Sequence, residues 1–449
     1  MEFLIYVLIA FEGILLAIAW NKFHGDVISP SIVTLTLFIV STSSFAYCTN
    51  EWYVVFGFKS FLFFLLCFLV MLTTEYIVRN FSFNSHCKPN MKICCNQFIF
   101  SGKYENYRLT IVHSWEKILF LFFLLCFFIY IYRIYKIGIS LGANSLWEAI
   151  GFNKEKGDFD GLARLVYNTL RIASYIYIVI FSHNVFTRHE HLRKNKISLT
   201  IVILTLIATF FSGQRSSAIC YLFGIIVAMF IAIYKRKNFP RKKLSILIKK
   251  LILLSVSVIV IFFESANIVK GTTLERDFVS YMTYYFGSTT ALMSRIVYEP
   301  ELCHTPFVGY FGEKTFNGFW KFLNQIEIVD TPPTDRLWIN MGSPFYPERA
   351  GNEYTFLCAP YIDFGFIGAL IFVALFYFFF SYIYKKILVT ENINKYVYLS
   401  SCYIFLFAMV AMTFYQDTIR SYSRPINILY IVYIIVFCKL FVRAREIKK

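Results

Sequence analysis

A chain of 449 residues in which 58% are hydrophobic and 20% aromatic is not a water-soluble globule, because its apolar residues fall in runs that match the hydrocarbon thickness of a bilayer. The formal charge of +17 does not point to nucleic acid, since the basic residues flank the apolar runs on one side. The eleven cysteines are odd in number and sit mostly inside those runs, which argues against a disulfide framework, and His86, Cys87, Cys94 and Cys95 fit no zinc spacing.

Taken in chain order, windows of about 18 to 22 apolar residues predict about eleven membrane-spanning helices. They lie near residues 3–20, 30–48, 61–78, 118–135, 162–181, 199–211, 217–234, 244–263, 366–384, 396–414 and 426–442. The first has no basic leader and no small-residue cleavage site, so it is read as a retained span. Residues 278–297 are Tyr-rich and amphipathic, and fit an interfacial or re-entrant segment. The predicted fold class is therefore all-α and polytopic. Residues 1–266 hold the first eight spans, 267–355 form one large polar loop, and 356–449 hold the last three spans and the tail.

Orientation follows from the basic residues in short loops. Lys22, the Arg79–Lys117 connection, Arg188 to Lys196, Lys235 to Lys243, Lys385, Lys386 and Lys395, and the tail from Arg443 fall in alternate loops, which are assigned to the cytoplasm. That puts the amino terminus and the large loop on the outer face and the carboxyl terminus inside. In a bacterium the outer face is periplasmic.

The hairpin Gly213-Gln214-Arg215-Ser216-Ser217, between the sixth and seventh spans, lies on that outer face. Arg215 breaks the charge bias there, and small neighbours leave its head accessible. It reads either as a snorkelling interfacial arginine or as a contact for a lipid-borne phosphate. The large loop adds Arg276, Arg295, Arg336 and Arg349, with aromatics that include Trp338 and Tyr354. Guanidinium groups grip phosphate oxygens in pairs and aromatic faces stack on sugars. A membrane-interface belt with lipid headgroup contacts is the alternative. Among the carboxylates in and beside the loop, which include Glu313, Asp363 stands out as a catalytic base or a partner for an arginine. Asp363, at the mouth of the ninth span, equally suits a helix cap. Within the spans, Glu12 is central, whereas Glu75 and Glu264 are near enough to the ends to reach an interface. No nucleotide-binding loop, dinucleotide fingerprint or zinc-protease motif is present in the sequence.

The order of these features resembles the bacterial O-antigen or oligosaccharide repeat-unit polymerases, the Wzy family. The resemblance rests on the Gly213–Ser216 hairpin, the large outer loop, Asn352-x-Tyr354-Thr355, and Tyr361-x-Asp363-Phe364-Gly365-x-x-Gly368. An Arg-x10-Gly spacing at Arg276 and Gly287 also matches. It implies a GT-C-like, metal-independent membrane glycosyltransferase without cofactors. Its donor is an undecaprenyl-diphosphate-linked glycan and its acceptor another lipid-linked repeat unit, with a chain-length regulator as an optional partner. On this resemblance Arg215, Arg276 and Arg349 would bind diphosphate, Asn352, Tyr354 and Trp338 would contact sugar, and Asp363 or Glu313 would take the hydroxyl proton.

Four other readings compete. A flippase for lipid-linked oligosaccharide should show two comparable halves and short loops, whereas this chain has one lopsided loop. An O-antigen ligase shares the donor and architecture and differs only in acceptor. A metal-dependent phosphosugar transferase calls for paired acids in the first outer loop, where only Glu51 is found. The last is a membrane scaffold without catalysis.

Overall fold

The computed structural model describes residues 2–49, 54, 56–80, 103–146, 148–150, 161–212, 215–236, 246, 249, 278–299, 308–333, 339–340, 350–351 and 354–447. Its elements, in chain order, are α1 (Glu2–Lys22), α2 (Pro30–Tyr47), α3 (Phe58–Asn80), β1 (Tyr107–Ile111), α4 (His113–Ser140), α5 (Gly161–Ser182), α6 (Lys196–Phe211), α7 (Arg215–Tyr234), α8 (Phe278–Tyr298), α9 (Asn317–Gln325), β2 (Ile339–Asn340), β3 (Ala350–Gly351), α10 (Cys358–Val389), α11 (Ile393–Leu406), α12 (Ile426–Phe441) and β4 (Val442–Glu446). Among the described residues nine helices are long and apolar enough to cross a membrane, and α12 is a shorter apolar helix. Apolar runs become helices because a backbone in hydrocarbon has to satisfy its N–H and C=O groups internally. The predicted span at 244–263 lies outside the described residues, apart from two isolated positions.

The chain divides into two compact units. The first holds residues 1–97, 276–386 and 406–429. One end of it is closed by a buried charge cluster. Arg79 Nη2 lies 2.8 Å from Asp26 Oδ2 and 2.6 Å from Glu75 Oε1. Tyr384 donates to Asp26 Oδ1 at 2.9 Å, Ser29 Oγ donates to Glu75 Oε1 at 2.7 Å, and the Ser31 N–H donates to Glu75 Oε2 at 2.9 Å. Glu75, read from the sequence as able to reach an interface, is instead fully buried and paired. Its near-terminal position lets Arg79, one turn on, and the α1–α2 turn fold over it. These residues come from three connections that the charge bias had assigned to one face.

At the other end of this unit lies α8. It is buried from Ser288 through Ser294, so the amphipathic segment is covered by protein rather than lying open at a surface. Ser41 Oγ donates to Phe286 O at 2.7 Å, Thr289 Oγ1 to Phe414 O at 2.7 Å, Lys59 Nζ to Val297 O at 2.7 Å and Tyr361 OH to Val297 O at 3.4 Å. The partners are the C-terminal half of α2, the start of α3, the residues before Tyr415 and the first turn of α10. All belong to the end predicted to face outward.

The second unit holds residues 98–275, 387–405 and 430–449. Its helices α4, α5, α6 and α7 pack together, and β1 pairs antiparallel with β4, Tyr107 opposite Glu446 and Ile111 opposite Val442. A π-helical turn, His183–Thr187, ends α5 and sets Asn184 against β1. There the side chain accepts from Leu109 N at 3.0 Å and donates to Leu109 O at 2.8 Å, completing that edge of the sheet. Lys235 Nζ donates to Leu388 O at 2.8 Å and Thr390 O at 3.2 Å, placing a cation on the carbonyl end of α10. Arg108 and Arg188 both pair with Glu190. Here too the loops grouped by their basic residues meet at one end.

Arg79→Ala would leave Asp26 and Glu75 buried without their cation. The expected loss is about 3 to 5 kcal/mol of stability, read as a lowered midpoint of detergent-induced unfolding. An unchanged midpoint would show that the cluster does not hold this end together.

Candidate functional site

The end of the first unit at which α8 packs is organised by two carboxylates. Residues 308–316 form a turn whose backbone N–H groups point inward. Glu313, fully buried, accepts from Val308 N at 2.9 Å and Gly309 N at 3.0 Å, and its Oε1 pairs with Lys314 Nζ at 3.0 Å. Asp363 accepts from Lys314 N at 3.2 Å and from Thr315 N and Oγ1 at 2.7 and 2.6 Å. It does not cap its own helix. It sits inside α10, two residues before Gly365, whose φ of 69° and ψ of −170° break the helical path. A residue with a Cβ is strained at that φ. The break leaves Asp363 at the end of a short first segment, from which it holds the 308–316 turn that contains Glu313. Asp363 is only partly buried.

Downstream of this turn, α9 packs on the short helical turn Ile419–Tyr422. A Cβ at Gly318 would collide with the Arg420 carbonyl and the Arg424 side chain, so glycine permits the approach. Arg420 Nε donates to Asn317 Oδ1 at 3.0 Å. Lys321, one turn along α9, faces the same group. Burial first, then the charges of Arg420 and Arg424, push the Lys321 ammonium below its ordinary value. Burial and the Arg424 charge lower Arg420 likewise. Lys321 and Arg420 thus feel neighbouring positive charge, and the three side chains form a cationic group suited to a polyanion such as diphosphate. Beside them Tyr310 and Trp320 stack at 4.6 Å and 18°, and the Trp320 indole donates to Phe311 O at 3.1 Å.

The residues expected from the sequence are distributed unevenly. Glu313 and Asp363 are brought to one loop. Tyr354 is buried, and Thr355 beside it is too, while the Phe356 N–H donates to Thr413 O at 3.0 Å. Arg215 begins α7 in the second unit. Arg276, Arg349, Asn352 and Trp338 lie outside the described residues, as do His86, Cys87, Cys94 and Cys95. Lys321, Arg420 and Arg424 were missed, although a signal existed. Two arginines in the connection before the last apolar run break the charge bias just as Arg215 does.

These helices define an all-α polytopic membrane protein. The chain matches no protein-family model, no curated protein and no solved structure.

Asp363→Ala would release the Lys314 and Thr315 amides. Hydrogen exchange across 310–320 should rise about tenfold or more, corresponding to the loss of buried hydrogen bonds, and Asp363→Asn should lie between. Exchange unchanged in both variants would mean that Asp363 does not hold the loop.

Proposed function

We propose that this protein is a metal-independent glycosyltransferase of GT-C-like architecture. It polymerises undecaprenyl-diphosphate-linked oligosaccharide repeat units at the periplasmic face of a bacterial inner membrane, for O-antigen or capsular polysaccharide. Its amino terminus faces the periplasm and its carboxyl terminus the cytoplasm, as the basic loops favour. The observation that carries the reading is the convergence of Lys321, Arg420 and Arg424 at the end of the first unit where α8 and the 308–316 turn are packed. A lipid-linked diphosphate needs fixed cations beside a membrane-spanning bundle, and this group supplies them.

In the reaction an acceptor sugar hydroxyl attacks the donor's anomeric carbon. The new glycosidic bond forms as the bond to the diphosphate oxygen breaks, and the electron pair leaves on the diphosphate. Guanidinium and ammonium groups stabilise that charge as it develops. The hydroxyl proton passes to a carboxylate. Asp363 suits this better than Glu313, because Asp363 is partly exposed and Glu313 is not. Tyr310 and Trp320 offer a flat aromatic surface beside the cations for a sugar ring. Arg215, in the second unit, is a separate candidate cation, to be tested on its own.

In a strain lacking the native gene, Arg420→Ala with Arg424→Ala should cut chain elongation by about 100-fold or more, leaving surface glycan capped with single repeat units. Arg215→Ala should give the same pattern. A normal glycan ladder from the double variant would sink the reading, and loss of all attachment would favour a ligase or a flippase. The depressed Lys321 adds a pH dependence. As pH rises through its lowered value the ammonium loses its proton, so diphosphate affinity should fall, whereas Lys321→Arg should bind with no such decline. Equal pH profiles for the two proteins, measured by binding of a short polyprenyl diphosphate, would remove Lys321 from the site.

A further inference from the structure

The 308–333 segment carries an apolar face that is left exposed among the described residues. Along α9, Phe319, Phe322, Leu323 and Ile326 recur at the spacing of one helical face, and none is buried. Phe311 in the preceding turn is 75% exposed and Ile328 in the following one 65%. The opposite face of α9 bears Asn317, Gly318 and Lys321 against Arg420 and Arg424.

This patch is continuous with a surface that already faces lipid. Phe311 packs on Phe364 at 5.2 Å and Phe316 on Phe372 at 6.5 Å, both on α10. On α10, Ile367 is 72% and Leu375 63% exposed, as residues facing acyl chains must be on a membrane-spanning helix. The apolar side chains of the loop therefore extend the lipid-facing strip of α10 toward its end. A helix with one apolar face, one cationic face and a neighbouring span lies in the plane of the interface. Left in water, the same patch would be an association surface.

We propose that α9 and its flanking turns are inserted into the lipid bilayer beside α10. Phe311, Phe319, Ile326 and Ile328 enter the acyl boundary, and Lys321, Arg420 and Arg424 are held at the level of the lipid phosphates. The occupant of the face is the phospholipid bilayer itself, because the patch is continuous with α10 and the charges above it complement phosphate. The inference rests on the membrane-spanning fold and stands whether or not the protein transfers sugars.

The test uses the full chain in nanodiscs of phosphatidylcholine and phosphatidylglycerol. Single spin labels are placed at Phe311→Cys, Ile328→Cys and, on the exposed polar side, Asp330→Cys, and the signal of the unmodified protein is subtracted. Collision with oxygen reports the acyl region and collision with a water-soluble nickel chelate reports solvent. The ratio of oxygen to nickel access at 311 and 328 should exceed that at 330 by at least about fivefold. Ile328 makes no ring contact, so its label tests the inference even if Phe311→Cys disturbs the packing on Phe364. Equal nickel access at all three positions would overturn the proposal, leaving an aqueous loop. Low access to both reagents at 311 and 328, with dipolar broadening, would also overturn it, because a second copy of the chain would then cover the patch.

Discussion

Inside hydrocarbon a charge or an unpaired hydroxyl has no solvent to turn to, so the protein has to answer each one with another of its own groups. Arg79 shows the consequence. It is paired with Asp26 and Glu75, Tyr384 completes Asp26, and three stretches of chain are thereby tied at one end of the first unit. Thr34 and Tyr377 share a hydrogen bond of 2.6 Å, and Ser41 and Thr290 one of 2.7 Å. Apolar helix surfaces attract one another without direction, whereas these bonds demand particular partners and angles. They select one arrangement from the many in which such helices pack.

The same logic, carried to the opposite end of the first unit, builds the candidate site. The break at Gly365 leaves Asp363 at the end of a short helical segment, and Asp363 then holds the 308–316 turn through three donors. The turn leads into α9, and Asn317 and Gly318 seat α9 on the Ile419–Tyr422 turn. Lys321, Arg420 and Arg424 meet because of that sequence of supports. A cation cluster is self-repelling, and it persists here because its members are mounted on elements fixed by other contacts. An anion that arrives among them relieves the repulsion, which is why a preformed cluster is suited to a charge that develops in a transition state.

Much of the helical fold was legible in the residues. Hydropathy marked out apolar runs of which nine, among the described residues, form helices long enough to cross a membrane. The site was less legible. Asp363 in sequence looks like the cap of a long helix, and only the backbone at Gly365 shows that its partners are forty-eight residues away. Glu75 looks marginal to its span because the sequence does not show the α1–α2 turn folding over it. Arg420 and Arg424 each resemble a solitary interfacial arginine, and their significance comes from Lys321 in a distant segment. In the 308–333 region, α9 is only nine residues long, too short for its apolar stripe to stand out beside runs of twenty.

Helix and span are decided by sums over neighbouring residues, and a linear sequence contains such sums in full. Which acid meets which arginine, and which cations meet one another, depends on pairs as far apart as Asp26 and Tyr384, 358 positions distant. Those pairings follow from directional bonds that form only after the helices have packed. Sequence alone therefore determined that this is a helical membrane protein, and the tertiary structure alone decided where its charges are concentrated.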